Sequence, residues 1–245
     1  MPVTYSSSIG SQIVISSGEP DTSDFYDLVN QTSNTTAAMG DLTGPPQDGT
    51  AVSALLDATA FGTDTLAVVE GQASIVDSGA ATTTNLDLAA LAAAQAPGDA
   101  AFASTTIGAT FTGGGGSYIQ IGHDYTWMQV EDGETSVVSA SSLALVVIEL
   151  DPDYFPTTWD LGEPETAAVE EDAPAPMPVA APGDGCGCLD GGGIDPGIDL
   201  DGNLATFDLA LLAAGEKSYA DLLVDAFAAE DAMSTVTASI VLAVD

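Results

Sequence analysis

Apolar and polar side chains take turns along much of this chain. Ala67, Val69, Gly71, Ala73 and Ile75 alternate with Val68, Glu70, Gln72, Ser74 and Val76. Ala220, Leu222, Val224, Ala226 and Ala228 alternate in the same way with Asp221, Leu223, Asp225 and Phe227. In "TVTASIVLAV" (235–244), Val236, Ala238, Ile240, Leu242 and Val244 form an apolar row against Thr235, Thr237, Ser239, Val241 and Ala243. A period of two sends successive side chains to opposite faces and predicts strands, whereas an amphipathic helix repeats every 3.6 residues. Composition pulls the other way in "YADLLVDAFAAEDA" (219–232), which is rich in good helix formers.

An internal repeat decides between the two. Residues 48–91 align with 201–244 without a gap, and ten of the 44 positions are identical, among them Leu56 with Leu209, Gly62 with Gly215 and Ala73 with Ala226. The counterpart of the helix-like segment is "LAVVEGQASIVDSG" (66–79), whose valines, isoleucine and glycines favour a strand, so strands are predicted in both copies. A looser third copy runs from about 98 to 150, with Glu131-Asp132 over Glu230-Asp231. Turns are expected at 62–64, 113–116 and 215–217, where glycine tolerates positive φ, and 119–150 reads as a hairpin.

These signals predict an all-β fold of repeated three-strand meander units, stacked like a sandwich or a solenoid. The expected divisions are 1–44 (two short strands, then a short helix within 22–41 with Ser23 as its N-cap), 45–97, 98–150, an acidic Pro/Gly-rich linker at 151–197, and a third unit at 198–245 tethered apart in sequence and able to dock on its own body or on a neighbouring copy.

Charge narrows the partners. The chain has 37 acidic residues against one base, Lys217, for a net charge of −36. Such a surface repels nucleic acid and anionic membranes and favours divalent cations, above all Ca²⁺ with its preference for oxygen ligands. No apolar run is long enough for a transmembrane helix, and "MPVTYSSSIG" has neither the basic nor the apolar region of a cleavable signal peptide.

Candidate chemistry is sparse. Asp195, Asp199, Asp201 and Asn203 gather oxygens on a glycine-rich turn, and residues 199, 201 and 203 have the spacing that opens an EF-hand loop. Leu204 and Ala210 stand where that loop needs glycine and glutamate, so the cluster reads either as a non-EF-hand Ca²⁺ site or as a solvated turn. "GGGIDPGID" resembles one turn of the calcium-binding nonapeptide repeats. Cys186 and Cys188 are too few for a zinc site. They are open to a strained Cys-Gly-Cys disulfide, to bridges between chains, or to remaining reduced. His123 shares a strand face with Ile121, Tyr125 and Trp127, which reads as a structural aromatic face or as a haem or metal pocket; "VTYSSSIG" resembles the start of secreted haem-acquisition proteins. No catalytic motif is present, and no enzyme is expected.

The low Lys, Arg and Cys content and the C-terminal "EDAMSTVTASIVLAVD" resemble acidic, type I-exported surface and matrix proteins of Gram-negative bacteria. The resemblance implies a secreted or cell-surface protein. With lysine guards missing from its strands, the expectation is a structural homo-oligomer or polymer: a filament, surface layer or biofilm matrix. Strand addition at 235–244, or at the N-terminal "SQIVIS" (11–16), would assemble it at a subunit contact, with Val236, Ala238, Ile240, Leu242 and Val244 facing a core that need not belong to the same chain. The competing expectations are a secreted ligand-binding module using His123 and Tyr125, and a salt-adapted surface or capsid protein.

Overall fold

The computed structural model describes residues 3–14, 28–42, 49–97, 101–131, 134–150 and 202–245. They form eleven strands: β1 (Val3–Val14), β2 (Leu28–Leu42), β3 (Thr50–Phe61), β4 (Asp64–Asp77), β5 (Ala81–Pro97), β6 (Phe102–Gly113), β7 (Gly116–Glu131), β8 (Glu134–Leu150), β9 (Asn203–Ala214), β10 (Ser218–Ala229) and β11 (Met233–Val244). A five-stranded sheet runs β1-β6-β3-β11-β10 and a six-stranded sheet β2-β7-β8-β5-β4-β9. One hydrophobic cluster draws on both: Leu56, Ile107, Phe111, Ile240 and Leu242 from the first, Ile75, Leu86, Leu88, Leu143 and Leu145 from the second. This is the sandwich arrangement, with two inner faces interdigitating.

The helix-like segment 219–232 supplies β10, a strand as the alternation predicts. Strands also correspond under the sequence alignment: β3 falls on β9 at both ends, β4 on β10 to within one residue, and β5 starts within one residue of β11. The units are nevertheless not meanders. After its first strand each triplet crosses to the other sheet and makes a hairpin there: β3 then β4–β5, β6 then β7–β8, β9 then β10–β11. The first turn of each triplet is thus a sheet switch. At 62–63 it passes so close to β5 that a Cβ on Gly62 would lie 2.6 Å from the Gln95 carbonyl oxygen. The ungapped alignment also slips by one residue in the last strand. Leu86 and Leu88 are buried, while their aligned partners Ser239 and Val241 face outward, because a one-residue shift exchanges the faces of a strand.

The first two triplets sit about an approximate twofold axis, with their equivalent strands β3 and β6 paired antiparallel and β5 and β8 likewise. Each flank of this six-strand centre receives added strands. On one side β1 joins β6 and β2 joins β7; on the other β11 joins β3 and β9 joins β4, the latter in parallel. The third unit therefore belongs to the same two sheets as the first two, docked on its own body.

Hydroxyl groups cross between the sheets where apolar cover thins. Thr65 and Ser234 share a hydrogen bond of 2.7 Å, and Thr105 meets Ser139 at 3.0 Å and Ser141 at 2.7 Å. The buried Glu149 carboxylate accepts hydrogen bonds from the Thr50 hydroxyl and the Gly114 amide. Burial raises the cost of leaving such groups unpaired, so these bonds hold the two sheets in one relative register.

Three local expectations are corrected. The N-terminal segment is one continuous strand, paired with β6 through Gly10 opposite Thr106, and not two short ones. Leu28–Leu42 is a strand where a short helix was predicted; its Thr- and Asn-rich centre has little helix propensity, and β7 offers it a full ladder. Ser23 lies outside the described residues. The third correction concerns the expected assembly strand. Val236, Ala238, Ile240, Leu242 and Val244 are all buried in this chain's own core, and β11 is paired on both sides, by β3 and by β10. It has no free edge to offer.

Position in the core makes β11 a test of that arrangement. Leu242→Ala is expected to lower unfolding free energy by about 2–5 kcal/mol. Ile240→Asp with Leu242→Asp, burying two unpaired charges at several kcal/mol each, costs about as much as a typical total stability of about 5–15 kcal/mol. Circular dichroism melts of the double variant should show no cooperative transition; a native spectrum with a sharp melt would contradict the placement of β11.

Candidate assembly surface

The edge strands of the two sheets are β1 and β10 in one, β2 and β9 in the other. Each leaves one row of backbone N–H and C=O groups without a neighbouring strand among the described residues, a template for another strand. All four are long, from 12 to 15 residues. None carries lysine or proline. β1 has no charged residue, β2 has only Asp41, β9 only Asp208, and β10 Asp221 and Asp225. Lys217 sits in the turn before β10, where its Nζ lies 2.5 Å from Asp245 Oδ2 and its carbonyl accepts the Asp245 amide. Both side chains are exposed, so the ion pair contributes little stability.

The two flanks differ in what they present. At the β9/β10 flank the inward side chains run past the end of the core, and β10 is exposed on almost every residue. Leu204, Phe207 and Leu212 of β9 and Tyr219, Leu222, Leu223 and Phe227 of β10 are exposed, Leu223 by 70 %. Alternation alone assigns Leu222 to a core and Tyr219, Leu223 and Phe227 to solvent. An outward row of Tyr, Leu and Phe is the signal in the sequence that could have marked this flank.

The opposite flank is polar inside. Tyr5 donates to Gln120, whose amide donates to Ser7 at 2.5 Å, and Tyr5 packs on Tyr118 with ring centres 4.4 Å apart. Burial, then the neighbouring Tyr118, raises the Tyr5 pKa above its ordinary value. Gly122 lets β1 come close, since a Cβ there would lie 2.6 Å from Ile9 Cδ1. Ser11 meets Ser139 at 2.7 Å, and Ser141 donates to Asp124 at 3.1 Å. Burial raises the Asp124 pKa, only partly offset by the Ser141 hydrogen bond and by His123.

A second apolar area lies on the outward face of the six-stranded sheet. Met39 is opposite Ile119, and Ile121, Ile148 and Leu150 are exposed on the same face. Further along β7, His123, Tyr125 and the buried Trp127 share it, as the strand period predicts. His123 Nδ1 lies 2.9 Å from the Thr35 hydroxyl and Nε2 3.5 Å from that of Ser33, so both ring nitrogens meet β2.

Asn203, the described member of the expected calcium cluster, ties strands together: its amide donates to the Ala229 carbonyl and its oxygen accepts from Thr65 at 3.0 Å. Asp195, Asp199, Asp201, Cys186 and Cys188 lie outside the described residues. Among the described residues no three His, Cys, Asp or Glu side chains come together to hold a metal ion, and no helix is long and apolar enough to cross a membrane. No protein-family model, curated protein or solved structure matches the chain.

The raised Asp124 pKa has a consequence for stability. A carboxyl that holds its proton more tightly when folded loses stability as pH rises from its unfolded pKa, about 4, through its folded value. Asp124→Asn keeps an oxygen for Ser141 and removes the desolvated charge. Its melting temperature should exceed that of the parent at pH 7 and match it near pH 3. An equal offset at both pH values would contradict this origin.

Proposed function

We propose that the chain is a secreted structural protein whose copies associate through their open strand edges into an extracellular filament, surface layer or biofilm matrix, assisted by divalent cations. The observation that carries this reading is the set of four long edge strands with neither lysine nor proline, one pair of which borders an exposed apolar flank. Strand addition at such an edge satisfies a row of backbone groups and covers apolar side chains in one step. A flank about 40 Å long and about 20 Å across both sheets offers roughly 800 Å² per partner, the size of a stable protein interface.

Lysine substitution tests the edge directly. Leu223→Lys with Phe227→Lys places guards on β10 at exposed positions, so the fold is retained. Size-exclusion chromatography and negative-stain microscopy should show a loss of large species, whereas Ile121→Lys, on the interior strand β7, should leave them intact. If the Ile121 variant dissociates and the β10 variant assembles, the sheet face and not the edge is the contact.

The role of cations follows from the charge of −36. Carboxylates on adjoining copies repel within a Debye length, about 10 Å at 0.1 M salt. Ca²⁺ should promote assembly more than Na⁺ does at equal ionic strength. Assembly that responds identically to both ions, and is untouched by EDTA, would remove the cation from the proposal.

A further inference from the structure

The third triplet has an unusual attachment. Among the connections between strands, those within the triplets span two or three residues, whereas Leu150 and Asn203 are joined by the 52 residues 151–202. Leu150 ends β8 opposite Ala81, near the end of β4 that pairs with Ala214. Asn203 begins β9 beside Thr65, in the row that crosses β5 at Ala94 and β8 at Val137. The gap is therefore three strand spacings sideways and the length from 137 to 150 along the strand, about 45 Å in all. A 52-residue connection can reach roughly 170 Å.

Residues 203–245 also fill a defined slot. β11 pairs with β3 along all twelve of its residues and β9 with β4 along all twelve of its own. Without them Val52, Leu56, Val69 and Ile75 would lose their cover, and Val236, Ile240 and Leu242 would lose theirs. Body and triplet each require the other, and the covalent connection does not dictate which copy supplies it.

We infer that the slot beside β3 and β4 accepts the 203–245 triplet of a second copy, so that each chain donates its last triplet to one neighbour and receives one from another. The inference rests on the self-association reading and names a contact distinct from edge addition. The exchanged interface has the same residue pairs as the closed one, so no new complementarity is required. Only the tether separates the two states. Segment 151–201 carries thirteen carboxylates and no base. A covalent connection confines its own triplet at an effective concentration on the order of millimolar, so exchange should dominate as chain concentration approaches that value. Donation in one direction does not close on itself and produces an open chain of copies.

A cross-link in the full chain separates the states. The Thr59 and Thr235 hydroxyls, on β3 and β11, lie 3.0 Å apart. Thr59→Cys with Thr235→Cys, in a Cys186→Ser, Cys188→Ser background, is refolded from denaturant at micromolar to about millimolar chain concentration, oxidised, and run on a denaturing gel without reductant. Ser53→Cys with Val241→Cys, another pair in register, is the second variant in case the first folds poorly. Thr59→Cys with Ser104→Cys, joining β3 to β6, is the control that can link only within the body. The β3–β11 pairs should give a covalent ladder whose share rises from a minor fraction to the main product across the concentration range, and the control should give monomers. Assembled particles containing only monomer-sized β3–β11 products would overturn exchange and leave edge addition standing. Monomer-sized products with no assembled particles would overturn both.

Discussion

The pairing of β11 with β3 is the contact on which the other features depend. It carries a segment from near residue 240 into register with one near residue 55, along twelve residues of each strand. It places Ile240 and Leu242 against the core side chains of the opposite sheet. It also pushes β10 outward to become an edge, and through the short turn at 215–217 it sets β9 beside β4. The open flank is thus a direct result of how the core is closed.

Charge distribution works with that geometry. Thirteen of the 37 carboxylates fall in 151–201, while the 51 residues of the four edge strands hold only four. Edges that most sheet proteins block with charge or proline are here nearly neutral, within a chain whose net charge keeps copies apart at long range. In the proposed assembly, cations would screen the long-range repulsion and leave strand pairing at the edges unopposed. The polar interior at the β1/β7 side, with Ser11, Thr105, Ser139 and Ser141 hydrogen-bonded across the sheets, fixes how the sheets register without adding much apolar burial.

Much of the fold was legible in the chain because a two-residue period is a local property. Ala67 to Ile75 and Val236 to Val244 announce their buried faces without any knowledge of partners, and Gly62 and Gly215 mark turns. What could not be read was where each strand goes next. A turn that makes a hairpin and a turn that switches sheets can have similar residues, so Gly62–Thr63 gives no local sign of crossing over. The same ambiguity misplaced β11: an apolar row on a long strand is equally consistent with a partner's core and with its own. Leu28–Leu42 failed for another reason, since a polar strand at an edge has no strong alternation to reveal it. The exposed row Tyr219, Leu223 and Phe227 was visible as an anomaly, but its meaning depends on β10 being at the end of a sheet.

Hydrogen exchange measured on the monomer and on assembled material addresses the role of the edges most directly. The account predicts that amides of β11 and β3 are protected to the level of global unfolding in both samples. The outward-pointing amides of β1 or β10 should exchange quickly in the monomer and become protected on assembly. Assembled protein in which all four edge strands exchange as fast as in the monomer would contradict it.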